Sequence, residues 1–367
     1  MSSPLARLSQ MGQSIWLDTF SRTLITSGEF ERRIRDDAVS GVTTNPSIFQ
    51  KALASGDAYD AQLAELSATT TDLKELFVAL ASTDVTDACD ILRPVWDRTD
   101  GGDGYASIEV DPHFAYDSAA TIAEAARLHD TIDRPNLLVK IPATEPGLLA
   151  IEEMTARGKS INITLIFSLD RYRAVADAYI SGLERFVDDG GDPSTVHSVA
   201  SFFVSRVDTE TDGRLDAIGG HDDLKGRLGV ANARLAYAAY GEIFAGERWE
   251  RLAARGARTQ RCLWASTSTK NPAYRDTLYV DTLIGPDTVN TLPDETIEAF
   301  QDHGDPRPNT VTEDVDAARA LLGELAAAGI DYDDVCAVLE REGVEKFEAA
   351  FAELIAGIER RLAAVAG

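Results

Sequence analysis

Lys140 lies within the apolar run Leu137-Leu-Val-Lys-Ile141, closed by Pro142, a segment with the pattern of a buried parallel strand. Arginine supplies most of the 35 basic residues, and lysine otherwise occurs only at positions 51, 74, 159, 225, 270 and 346. A chain that prefers arginine yet sets a lysine inside a strand suggests a need that a guanidinium cannot meet. Arginine stays protonated at any pH a protein meets, whereas a desolvated lysine can lose its proton and attack a carbonyl to give a Schiff base. The ordinary alternative is a lysine that snorkels to the strand end or pairs with a carboxylate.

Other polar residues stand in or just after apolar runs. Asp18 closes Ser14-Ile-Trp-Leu-Asp18, Asn45 ends Val39-Ser-Gly-Val-Thr-Thr-Asn45, and Glu109 sits late in Tyr105-Ala-Ser-Ile-Glu-Val-Asp111. Asn162 and Thr164 lie in Ile161-Asn-Ile-Thr-Leu-Ile-Phe167, and Ser201 and Phe203 in Ser198-Val-Ala-Ser-Phe-Phe-Val204, with Arg206 just beyond. Ser266, Ser268 and Lys270 end or follow Arg261-Cys-Leu-Trp-Ala-Ser266. Polar groups inside apolar strands are costly to bury unless paired, so their recurrence in successive strands says more than any one of them. Singly, each has a plain account: a hydrogen-bonded core amide for Asn45 or Asn162, a helix N-cap for Asp18, an ion pair with Lys140 for Glu109, surface charge for Arg206 and Lys270. Together they describe a reaction. A neutral lysine attacks a ketone, one carboxylate shuttles protons for imine formation, and a second deprotonates the hydroxyl whose carbon–carbon bond then breaks. Amides and hydroxyls would fix the substrate's own hydroxyls, and the basic pair would bind a phosphate.

These residues require a frame of strands alternating with helices. Seven runs, at about 14–18, 39–45, 105–111, 137–141, 161–167, 198–204 and 261–266, read as strands, and an eighth is expected around residues 278–284. Helical patterns fall between them, at about 4–11, 28–38, 117–130, 146–157, 169–187 and 208–255. Eight alternating units predict a parallel α/β fold closed as a (β/α)8 TIM barrel, in which chemistry sits at the C-terminal strand ends. No glycine-rich phosphate loop follows the first strand, which argues against a doubly wound open sheet. Residues 1–367 read as one barrel domain, with a helical insertion at about 47–98 before strand three and extra C-terminal helices at about 312–365.

Composition narrows the classes. The 367 residues are 44% hydrophobic and 26% charged, ordinary for a globular protein, and no apolar stretch is long enough to span a bilayer. A net charge of −26 argues against nucleic acid and anionic membrane as partners, and it means that an anionic substrate needs a local basic cluster. Cys89, Cys262 and Cys336 are odd in number, widely spaced and in no metal-ligand pattern, as expected of reduced thiols in a cytoplasm. The N-terminus has neither the basic end nor the apolar core of a signal peptide.

Trp16-Leu-Asp18, Gly41-Val-Thr-Thr-Asn-Pro46, Ile108-Glu-Val-Asp111, Val139-Lys-Ile-Pro-Ala-Thr144, Ile161-Asn-Ile-Thr-Leu165 and Ser201-Phe-Phe-Val-Ser-Arg206 resemble, in order and spacing, the motifs of the transaldolases. Asp281-Thr-Leu-Ile-Gly-Pro-Asp-Thr-Val-Asn-Thr-Leu-Pro293 extends the resemblance over essentially the whole chain. The resemblance implies Lys140 as the Schiff-base lysine, Asp18 as acid and base on the C4 hydroxyl, and Glu109 as the carboxylate acting through a water on imine formation. It implies Asn45, Asn162 and Ser201 as ligands of the dihydroxyacetone part and Thr164 as the residue that positions the water. Phe203 would be an aromatic wall, and Arg206, Ser266 and Lys270 phosphate contacts. It implies no metal and no organic cofactor, small sugar phosphates as partners, and a monomer or a homodimer.

The chain departs from the family pattern in two places. Phe202 and Ser205 stand where Pro and Gly are common, and Ala265-Ser266 is followed by Thr267-Ser-Thr-Lys270 where an arginine often comes soon after the pair. The insertion and the long C-terminus suggest a longer subclass. Two rivals share the fold: a fructose 6-phosphate aldolase that releases free dihydroxyacetone, a shorter branch that tends to carry glutamine in place of Glu109, and a sugar-phosphate-binding barrel without catalysis.

Overall fold

The computed structural model describes residues 3–365. Eight strands, β1 (Gln13–Leu17), β2 (Val39–Val42), β3 (Tyr105–Glu109), β4 (Leu137–Pro142), β5 (Ile161–Ile166), β6 (Ser198–Phe203), β7 (Arg261–Ala265) and β8 (Thr288–Leu292), run parallel and close in chain order. Closure comes from β8, which pairs with β1 from Gln13 opposite Thr288 to Leu17 opposite Leu292. The two-residue period of a strand assigns the faces. On β4, Leu137, Val139 and Ile141 join the large core between the barrel and its helices, whereas Leu138 joins Trp16, Tyr105, Val199, Leu263 and Val289 in a second cluster. Lys140, two residues beyond Leu138, shares its inward face.

The lower barrel is plugged by Trp16, which is fully buried. Gly41 on β2 makes room for it, since a Cβ there would lie 2.5 Å from the indole Nε1. That nitrogen donates to Asp103 Oδ1 at 2.8 Å; Ser14 Oγ donates to the other carboxylate oxygen, and Arg261 donates to Ser14 Oγ at 2.6 Å. Polar pairing therefore ties together the floor of an open cavity of about 490 Å³ at the N-terminal end, lined by Ser14, Asp103, Leu138, Val199 and Arg261, while Lys140 faces the C-terminal end.

Between β2 and β3 stand three helices, Pro46–Ala54, Asp60–Ser67 and Leu73–Arg98, which account for the expected insertion. The region expected as helical over 208–255 resolves into Ser205–Ile218, Leu228–Ile243 and Glu247–Ala253; the first break falls at Gly219 and Gly220, whose φ angles are +82° and +84°. The chain ends in Val315–Ala327 and Tyr332–Val365. The last helix packs on Pro46–Ala54, Leu73–Arg98 and Ser205–Ile218 and reaches β5. Gly343 allows that approach, because a Cβ there would stand 2.9 Å from Leu165 Cδ2. No helix among the described residues is long and apolar enough to cross a membrane.

The expected eighth strand at 278–284 is wrong. Leu278–Asp281 is a short helix, and Tyr279, Val280, Leu283 and Ile284 are apolar because they pack outside the barrel in the main core. The true β8 interleaves Thr288, Asn290 and Thr291 with Val289 and Leu292, so its composition hides it. Its polar groups are placed by tertiary contacts: Thr291 Oγ1 donates to the Trp264 carbonyl at 3.2 Å, and Asn290 Oδ1 accepts from Thr267 Oγ1 at 2.7 Å. Strand two also stops short of its expected end, at Val42.

The tight fit of Trp16 against Gly41 makes a prediction. Gly41→Ala overpacks the plug and should lower stability by about 1–3 kcal/mol in a denaturant titration. An unchanged midpoint would show that the indole has room to move.

Candidate active site

Lys140 is only 6% exposed, and in register it faces Glu109 on β3 and Asn162 on β5. Its Nζ donates to Glu109 Oε2 at 3.1 Å and to the Thr44 carbonyl at 2.9 Å. Thr44 is held in turn, its Oγ1 donating to the Ser107 carbonyl at 2.8 Å. The Glu109 side chain is 5% exposed, and burial pushes its carboxyl above the usual range while Lys140 and Arg206 oppose that rise. A carboxylate made more basic in this way is a better acceptor for a proton leaving the amine beside it.

Above the pair opens a cavity of about 250 Å³, lined by Asp18, Asn45, Lys140, Thr164, Ser201, Phe203, Arg206, Ser266, Ser268 and Lys270 together with Thr43, Thr267, Thr291, Pro293 and Phe347. Ten of the twelve residues singled out from the sequence thus meet around one space. Glu109 and Asn162 lie off its wall, each bonded to a residue that lines it. Asn162 accepts from Ser201 Oγ at 2.7 Å and donates to Ser107 Oγ at 3.2 Å.

Asp18 follows β1, tied by its own N–H to the Leu292 carbonyl at 3.0 Å. It does not cap a helix; that role falls to Ser21. Burial pushes its carboxyl up to about 6, and the charges of Lys140, Lys270 and Arg206 restrain it. Asn45 is the N-cap of Pro46–Ala54, its Oδ1 accepting from the Ile48 N–H at 3.0 Å, which turns its amide nitrogen to other use. Thr164 is 1% exposed, and its hydroxyl has no partner among the described residues although it lines the cavity.

Two cations stand on the far wall. Arg206, near the start of Ser205–Ile218, lies over the Phe203 ring with its Cζ 5.0 Å from the centroid. Among the described residues no carboxylate lies within ion-pair distance of it, its Nη1 is buried without a partner, and burial draws its pKa below the usual arginine range. Lys270 is exposed, and its Nζ donates to Ser268 Oγ at 2.6 Å. Ser266, at φ +56°, shares a 2.9 Å hydroxyl contact with Ser205. A half-buried guanidinium with an unpartnered nitrogen, on the wall of a cavity, is set to receive an anion.

Sequence reasoning missed Thr43 and Phe347. Thr43 belongs to the same Thr-Thr-Asn string as Asn45, so its place was readable there. Phe347 lies in the last helix, and nothing in the sequence around it distinguishes it from Phe351, which packs on Phe77.

The chain matches the family model described as transaldolase/fructose-6-phosphate aldolase over residues 15–358. The chain belongs to that family. Among similar curated proteins, a transaldolase of Mycolicibacterium paratuberculosis is 54% identical over 98% of this chain and 97% of its own length. One from Acidothermus cellulolyticus is 54% identical over 99% of this chain and 98% of its own length. Transaldolase 2 of Streptomyces avermitilis is 52% identical, with 99% and 98% covered. The relatives match this chain at nearly full length, so the transaldolase/fructose-6-phosphate aldolase family extends to members with both the insertion and the long C-terminus.

The raised carboxyl of Asp18 carries a stability consequence. Its folded-state pKa of about 6 lies above the ordinary aspartate value of 3.8, so between those values the folded chain binds more protons than the unfolded one. Stability contributed by this group is therefore present at low pH and lost as pH rises through about 6. Asp18→Asn should then be the more stable protein above pH 6, by on the order of 2 to 3 kcal/mol, with the advantage fading toward pH 4. Paired melting curves across that range check it; a pH-independent difference would remove the assigned cause.

Proposed function

We propose that this chain is a transaldolase of the non-oxidative pentose phosphate pathway. It transfers a dihydroxyacetone unit from a ketose phosphate, sedoheptulose 7-phosphate or fructose 6-phosphate, to glyceraldehyde 3-phosphate or erythrose 4-phosphate. The observation that carries this reading is Lys140 Nζ within a barrel strand, 3.1 Å from Glu109 and on the same cavity as Asp18.

Lys140, having passed its proton to Glu109, attacks the ketone carbon. Glu109 returns a proton, through a water held by Thr164, to the departing carbinolamine hydroxyl, and the imine forms with loss of water. Asp18, ionised above about pH 6, takes the proton from the C4 hydroxyl. The C3–C4 bond breaks, its electron pair passes into the protonated imine to give an enamine, and the aldose phosphate leaves. The acceptor aldehyde enters, the enamine carbon attacks it, and Asp18 returns the proton to the new alkoxide. Water then releases the ketose from Lys140. The imine is the electron sink throughout, so these steps call for neither a metal nor an organic cofactor. Asn45, Asn162 and Ser201 hold the hydroxyls of the three-carbon unit, Phe203 walls the cavity, and Arg206, Ser266 and Lys270 receive the phosphate. Three buried, unpaired cysteines support a cytoplasmic setting, and the protein works as a monomer or a homodimer.

The test is to supply fructose 6-phosphate with erythrose 4-phosphate. Sedoheptulose 7-phosphate and glyceraldehyde 3-phosphate should appear together, and free dihydroxyacetone as the main product would point instead to the aldolase branch. Lys140→Arg should keep the fold and lose turnover by on the order of 10³ or more, because a guanidinium forms no imine. Appreciable activity in that variant would sink the assignment.

A further inference from the structure

The proposed phosphate contacts come from two separate elements. Arg206 is on the helix Ser205–Ile218, whereas Ser266 and Lys270 are on the loop that follows β7 and runs to the helix Leu278–Asp281. That loop is largely exposed, and a cationic side chain on it has no fixed place unless the loop is anchored. Thr267 ties its start to Asn290 of β8, and Arg275 and Asp276 tie its end to His303. Two further hydrogen bonds, one from the loop and one from the short helix it enters, end on the Arg206 helix. Tyr274 Oη donates to Asp212 Oδ2 at 2.5 Å, and Tyr279 Oη donates to Asp208 Oδ2 at 2.7 Å. Asp208 and Asp212 are four residues apart and so share one face of the helix.

Each carboxylate is itself held by a backbone N–H, one just before and one in the first turn of Leu228–Ile243. Gly226 donates to Asp212 Oδ1 at 2.8 Å and Gly229 to Asp208 Oδ1 at 2.6 Å. Neither position admits a side chain: a Cβ at Gly226 would lie 2.5 Å from the Tyr274 ring, and one at Gly229 2.7 Å from the Asp208 carboxylate. The arrangement is thus built twice, a carboxylate between a tyrosine hydroxyl and a glycine N–H, at two successive turns of one helix.

We infer that Asp208, Asp212, Tyr274 and Tyr279 form a double clasp that sets the spacing between Lys270 and Arg206 and thereby the selection of phosphorylated substrates. The inference rests on the transaldolase reading and on the assignment of those two cations to phosphate. The clasp residues do not line the cavity, so they are positioning residues. Tyr274 is the better probe, being partly exposed where Tyr279 is buried.

In the full-length protein, Tyr274→Phe should raise KM for fructose 6-phosphate by roughly three- to ten-fold with kcat little changed. Inhibition by inorganic phosphate should weaken by the same factor, and KM for unphosphorylated fructose should stay put. Asp212→Asn can still accept the Gly226 N–H and meet the tyrosine hydroxyl, so it should behave nearer to wild type than Asp212→Ala. Equal losses on phosphorylated and unphosphorylated substrates, or a fall in kcat that tracks a fall in Tm, would overturn the clasp and leave a merely structural contact. Wild-type kinetics in both Tyr274→Phe and Asp212→Ala would overturn it as well. A wild-type protein with no turnover on fructose 6-phosphate and acceptor would overturn the transaldolase reading and this inference together, an outcome separate from failure of the variants alone.

Discussion

The structure depends on holding an amine inside a closed barrel beside a carboxylate. Lys140 sits mid-strand, its Nζ shared between Glu109 and the Thr44 carbonyl, with 6% of the residue exposed. A buried ion pair of this kind is weak evidence of stabilisation, since desolvating both partners offsets most of the attraction between them. Its place is better explained by what it permits. Parallel pairing of β3, β4 and β5 puts Glu109, Lys140 and Asn162 side by side in register, so the proton acceptor and the amide arrive by strand pairing alone. The rigid strands then fix the amine without any loop having to order around it.

Charge has to be arranged against the background of the whole chain. With a net −26, the long-range field repels an anionic sugar phosphate, and attraction must come from close range. Arg206 supplies it by remaining unpaired in a chain where most other arginines are spent on carboxylates, as Arg22 is on Asp84 and Arg248 on Glu184. The same cations, with Lys140, lower the cost of ionising Asp18 in a site whose burial opposes it. The walls and the charges are therefore coupled: the enclosure that raises Asp18 and Glu109 toward useful basicity also strengthens the pull of Arg206 on a phosphate.

Much of this was legible in the sequence for a definite reason. In a parallel barrel the strands are buried on both faces, so a lysine, a glutamate or an asparagine within one stands out against the apolar run around it, as Lys140, Glu109 and Asn162 do. That contrast is missing in other parts of the chain. β8 carries three polar residues, each with a hydrogen-bond partner that only the closed barrel supplies, so the outward-packed run at 278–284 looks more like a strand than the strand does. Phe347 lies far along the chain from every other lining residue and reaches the cavity because Gly343 lets the last helix come close to Leu165. The tyrosine–aspartate clasp was illegible for the same reason, since its partners are 62 and 71 residues apart.

The central claim is that Lys140 becomes covalently bonded to substrate. The most direct measurement is reduction with borohydride in the presence of fructose 6-phosphate, followed by peptide mass spectrometry. The account predicts a reduced three-carbon or six-carbon adduct on the peptide containing Lys140 and on no other lysine. Absence of any adduct in folded protein that demonstrably binds the sugar phosphate would contradict it and favour a binding barrel without catalysis.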